Sequence, residues 1–90
     1  MIDRILEQYE DETFLKADGF DAAIIGVDES SMRLIYSVSK CIEILFWDME
    51  MSEIDALEHF NFNVMGAYVG EKTPIWCMDY FDPIFISKKS

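Results

Sequence analysis

The chain has little that would interrupt or staple a fold. It carries 2 prolines and 4 glycines in 90 residues, with no repeat and no low-complexity stretch. No linker is visible, so a single domain over residues 1–90 is expected, with 79–90 as a C-terminal tail. Its 2 cysteines are too few for a disulfide scaffold. Cys41 and Cys77 both fall in apolar surroundings and read as reduced, buried thiols. Positive charge is scarce: 7 Lys and Arg face 18 Asp and Glu, for a net charge of −11. Two of those bases, Lys88 and Lys89, lie in the tail. Phosphate neutralisation needs a basic face, which argues against direct nucleic-acid binding. No uncharged apolar run approaches ~18 residues, so no membrane contact by a spanning helix is expected. The opening residues lack the basic and apolar segments of a secretory signal.

What is present is apolar mass. Hydrophobic residues make up 51% of the chain and aromatics 14%, too much for an acidic disordered protein. Ile2, Ile5, Leu6 and Tyr9 share one stripe and predict a helix over 2–12. The run 22–28 predicts a buried strand, Glu29-Ser30-Ser31 a hairpin connection, and Met32–Tyr36 its antiparallel partner. Ser37 or Ser39 then caps a helix over 38–49. Its inner stripe is Val38, Cys41, Ile42, Leu45, Phe46 and Met49, with Ile44 and Trp47 on another face. Ser52-Glu53-Ile54-Asp55 has the form of a capping box. It opens a second helix with Ile54, Leu57, Phe60 and Val64 inward and Phe62 outward. Phe60, Phe62 and Val64 also alternate at period two, so 60–66 has an extended alternative. Gly66 and Gly70 are candidate stops, and Thr73-Pro74 opens a third strand, Ile75–Met78. The expectation is an α+β fold in the order α-β-β-α-α-β, with helices packed on a small antiparallel sheet of about three strands.

The residues of common catalytic and ligand sites are missing in their required order. The single histidine, His59, lies four after Asp55 and reads as a solvated helix residue rather than a general base. A calcium loop starting at Asp48 fails at Glu53, where glycine is needed, and at His59, where glutamate is needed. The stretch from Gly66 to Thr73 lacks the Gly-Lys-Thr order of a phosphate loop, because Glu71 intervenes. No enzyme, metal site or cofactor is expected.

Acidic and aromatic surface remains. Glu50, Glu53, Asp55 and Glu58, with Asp48, form one acidic group, and Glu7, Glu10, Asp11 and Glu12 another. Irregularly spaced carboxylates on a compact body can imitate a phosphate backbone, although solvated helix faces have the same composition. Ile44, Trp47, Phe62, Tyr80 and Phe81, with Ile84, Phe85 and Ile86, are left over from the inner stripes. They are expected to lie close together. Either they close the core within one chain or they form a contact, as a homodimer or with a partner.

Several segments are distinctive together. They are Ala17-Asp18-Gly19-Phe20-Asp21-x-Ala23-Ile24-Ile25-Gly26, Lys40-Cys41-Ile42-Glu43-Ile44-Leu45, Met51-Ser52-x-x-Asp55-Ala56, and Phe60-x-Phe62-Asn63-Val64-x-Gly66-Ala67-Tyr68-Val69-Gly70-Glu71-x-Thr73-Pro74-Ile75. Over residues 10–76 the chain resembles a family of small acidic proteins of bacteriophages and prophages. The resemblance implies an accessory protein in the cytoplasm of a bacterial host and no mechanism. The expected function is binding and modulating a host protein with a basic, nucleic-acid-binding surface. The expected binding residues are Glu50, Glu53, Asp55 and Glu58 for charge, and Ile44, Trp47, Phe62, Tyr80 and Phe81 for apolar contact. A small-ligand or nucleotide sponge is the alternative.

Overall fold

A computed structural model describes residues 1–67 and 70–81. Helix α1 spans Ile2–Gln8, strand β1 Ile24–Asp28 and strand β2 Arg33–Ser37. Helix α2 spans Val38–Glu43 and continues as a π-helix over Ile44–Asp48. Helix α3 spans Glu53–His59 and continues as a π-helix over Phe60–Met65. Strand β3 spans Ile75–Cys77. The class is α+β, as expected, and the element order agrees. Residues 60–65 are helical, which rules out the extended alternative.

The hairpin forms where the sequence places it. Asp28 accepts hydrogen bonds from the Ser30 and Ser31 hydroxyls, and the Met32 N–H closes the turn on the Asp28 carbonyl at 2.7 Å. Those serine bonds, the Ser31 one foremost, hold the Asp28 carboxyl below its ordinary value. β1 and β2 pair antiparallel with Ile25 bulged out between Ile24 and Gly26.

The third strand differs from expectation. β3 runs parallel to β2, with Tyr36 opposite Trp76, so the sheet is mixed and has the order β1-β2-β3. The direction follows from the connection. β2 runs directly into α2, and the helical pair carries the chain back to the start of β2 before β3 begins. That return is pinned by Arg33 Nε, which donates to the Thr73 carbonyl at 2.6 Å, and by Lys72 Nζ, 3.3 Å from the Met32 carbonyl.

The core is Ile5, Phe20, Ala23, Ile24, Leu34, Tyr36, Val38, Cys41, Ile42, Leu45, Ala56 and Phe60. Burial pushes the Cys41 thiol up to about 12, with the Asp79 charge adding to it, so Cys41 is no nucleophile at neutral pH.

Two helix phases depart from expectation, for different reasons. A π-turn holds one residue more than an α-turn, so every position beyond it rotates back relative to the α stripe. Met49, expected inside, is 52% exposed. In α3 the inward line is Ala56 and Phe60, flanked by half-buried Leu57 and Val64, while Ile54 stands 70% exposed. Ala56 lets α3 approach the core closely, and its first turn faces inward through Glu53 rather than Ile54.

Asp79, expected to open the C-terminal tail, is a long-range cap. Its carboxylate accepts from the Ser37 hydroxyl at 2.6 Å and from the Ser39 N–H at 2.8 Å, at the N-terminus of α2. Ser37 in turn accepts from the Lys40 N–H at 3.1 Å. Ser52 caps α3 in the expected way, accepting from the Asp55 N–H at 3.1 Å. Residues 82–90, including Ile84, Phe85 and Ile86, lie outside the described residues.

Two measurements check this core. Leu45→Ala is expected to lower stability by ~2–5 kcal/mol, and an unchanged urea midpoint would contradict the packing. Burial alone would raise the Asp79 carboxyl, but the Ser37 and Ser39 hydrogen bonds outweigh it and hold it below 3.8. Its contribution is therefore complete above that ordinary value and is lost as pH falls through the lower, folded value. Asp79→Ala is expected to cost ~0.5–2 kcal/mol at pH 7. In melting curves the gap from the parent should close in strong acid.

Candidate interaction surface

The expected binding residues divide into three groups. The first is the outer face of α3 and its π extension. Ile54, Glu58 and Phe62 follow one another by four residues along this face, and Asp55 adjoins them. Phe62 is 79% exposed, as its phase required, and Ile54, not among the expected binding residues, is nearly as open. Glu58 and Asp55 are exposed between and beside them. Two large apolar side chains are thus presented to solvent with two carboxylates set among them. A soluble surface spends such area where contact is made more often than where it is not.

The second group is Ile44 and Trp47. Both line a shallow hollow of about 250 Å³ beside α2, together with Ala22, Lys40, Glu43 and Asp48. Trp47 meets Phe46 edge-on at 4.8 Å. Ile44 is half-buried against the core.

The third group is Glu50, Glu53, Tyr80 and Phe81. Glu53 is withdrawn from the expected acidic field. It is half-buried and accepts a hydrogen bond from the Tyr80 hydroxyl. Tyr80 packs on the core, so it belongs to the interior of the fold rather than to a free patch. Burial, then the Glu53 bond and charge, push the Tyr80 phenol up to about 12. Glu50 is exposed in the turn between the helices with φ 56°, a left-handed conformation that disfavours side chains. Phe81 is exposed at the end of the described chain. Among the described residues Ile44 and Trp47 line one hollow and Tyr80 bonds to Glu53, while Ile84, Phe85 and Ile86 of the expected apolar cluster lie outside the described residues.

His59 is half-buried and its partner is Asn63, with Nδ1 and Nδ2 3.4 Å apart, rather than Asp55. Among the described residues no group of three His, Cys, Asp or Glu side chains is placed to hold a metal ion. No helix among them is long and apolar enough to cross a membrane. No protein-family model, curated protein or solved structure matches the chain.

What the sequence reading missed was Ile54. Its apolar character argued for the core, and only the Ser52 cap combined with a buried Ala56 shows that the first turn faces the other way.

The Tyr80–Glu53 pair gives an alkaline signature. Folding favours the protonated phenol, so its contribution is full below the ordinary value of 10.0 and is lost as pH rises through about 12. Tyr80→Phe is expected to cost ~0.5–1.5 kcal/mol at pH 7 and to remove one late-titrating tyrosine from the ultraviolet absorbance curve. A curve that keeps all its late tyrosines would contradict the pairing.

Proposed function

We propose that the chain is a non-catalytic accessory protein of phage type that docks on a host protein through the outer face of α3. One observation carries this reading: Ile54 and Phe62 stand exposed on the same face as Asp55 and Glu58. Apolar side chains supply contact area that salt does not screen. Carboxylates among them favour a partner whose surface is basic, and they steer its approach. The net charge of −11 extends that attraction beyond the contact itself.

A basic protein surface is commonly one that holds nucleic acid, so occupation by this face would displace the nucleic acid and inhibit or modulate the host protein. The resemblance to phage and prophage proteins supports the bacterial cytoplasm as the place of action. Neither Glu53 nor Tyr80 takes part, because they satisfy each other within the fold. The charge requirement therefore falls on Asp55 and Glu58, with Glu50 adding to the field.

The test is affinity capture from bacterial lysate with the parent and two folded variants, Ile54→Ser/Phe62→Ser and Asp55→Lys/Glu58→Lys. A partner retained by the parent and lost by both variants is expected, and its nucleic-acid binding should fall when this chain is added. Raising salt should weaken capture without abolishing it, since exposed charges are screened over ~8 Å at physiological ionic strength. A capture profile that neither variant alters would overturn the reading.

A further inference from the structure

The face that the docking reading assigns to a host partner has a complement within the same chain. Asp79 is tied to Ser37 and Ser39, and the Tyr80 hydroxyl donates to Glu53, the first residue of α3. Those bonds fix where the chain leaves the described fold: beside the first turn of α3, with Phe81 exposed. Next comes Asp82-Pro83, a pair that favours a turn. Ile84, Phe85 and Ile86 follow, all bulky and apolar, and then the cations Lys88 and Lys89. The outer face of α3 is the counterpart in both respects. It offers Ile54 and Phe62 to solvent with Asp55 and Glu58 among them, and no lysine or arginine lies between Ser52 and Gly66.

We propose that residues 84–89 lie along this face in cis, so that a host partner must displace them to dock. Reach, charge and tether choose this occupant. Ile54 and Phe62 are separated by about 12 Å of helix, at about 1.5 Å per residue. Extended chain from Phe81 to Ile86 spans about 17 Å, so the apolar triplet reaches from the exit point along the face. Residues 82–90 carry Lys88 and Lys89 against the single acid Asp82, in a chain whose net charge is −11. A basic segment of such a chain is drawn to its acidic face. The short tether keeps it there at a roughly millimolar effective concentration, which an incoming partner must outcompete. A second copy is a poorer occupant, because it brings the repulsion of another −11 charges to the face. The hollow beside Trp47 is a poorer seat for the segment, because Lys40 lines it. The displacement rests on the docking reading; the contact in cis does not.

The test is a nuclear Overhauser spectrum of the isotopically labelled full chain at a low and a high concentration. Cross-peaks joining Ile84, Phe85 or Ile86 to Ile54 or Phe62 are expected, with the same relative intensity at both. Ile84→Ser/Phe85→Ser/Ile86→Ser leaves every described core residue in place. It should remove the cross-peaks and move the amide signals of Ile54, Glu58 and Phe62, with those of Val27 and Leu34 unchanged. Against a partner retained in the capture experiment, this variant should bind at least about threefold more tightly, because the face is no longer occupied in cis. Absence of the cross-peaks overturns the proposal. So do cross-peaks that grow with concentration, which mark a second copy, or α3 signals that the variant leaves in place. Equal affinity of parent and variant overturns the displacement. A contact in cis with no retained partner supports this inference and removes the docking reading; capture that depends on Ile54 and Phe62, with no contact in cis, does the reverse.

Discussion

Trp76 packed between Tyr36 and Phe60 is the contact on which the architecture depends. The three rings come from β3, β2 and the α3 extension, so one aromatic cluster fixes the sheet to the helical layer. Tyr36 and Phe60 are almost completely buried. Tyr36 adds a fourth element, because its hydroxyl holds the Ala17 N–H and with it the loop after α1. In a domain this small, the surface buried per residue is modest, and a few large rings supply a disproportionate share of it. Aromatic pairs also prefer particular geometries, which gives the cluster directional as well as apolar content.

Around that cluster the chain spends its scarce cations on the fold. Arg33 and Lys72 hold the approach to β3, and Lys72 also lies 3.6 Å from Glu12. Lys16 is bridged to Asp21. Most of the carboxylates are left facing water, and the acidic field of the surface is correspondingly uncompensated. The same division explains why the outer face of α3 has carboxylates but no lysine or arginine. Within its span from Ser52 to Gly66 the sequence has no Lys or Arg.

Local signals in the sequence were good guides and distant ones were not. Ser37 and Ser52 marked helix starts, because an N-cap is satisfied within three residues. The hairpin was legible because its turn residues bond to one another. The parallel direction of β3 was not legible, since it depends on where a helical pair returns the chain. Helix phase was readable in α2 up to the point where it widens, but in α3 the first turn was misread at Ile54. By Met49, past the widened turn that begins at Ile44, a fixed 3.6-residue period assigns the wrong face, which is why Met49 was placed inside. Of the candidate site, Phe62 was read correctly from its opposition to Phe60. Glu53 was assigned to the surface because its partner Tyr80 is 27 positions away. Asp79 was assigned to a tail for the same reason: its two hydrogen bonds reach back some forty positions.

The long reach of β3 also sets an order of events. β1 and β2 meet through a short turn, but Tyr36 and Trp76 belong to strands separated by both helices. Non-local pairing must overcome the entropy of closing the intervening loop before it gains anything. During synthesis the hairpin, α2 and α3 are therefore made before the strand that completes the sheet. Over that interval the Tyr36 and Phe60 rings lack the indole between them, and the N-terminus of α2 lacks its aspartate. The nascent chain passes through a form with its most apolar surface open, and the last residues to be translated in the sheet are the ones that close it.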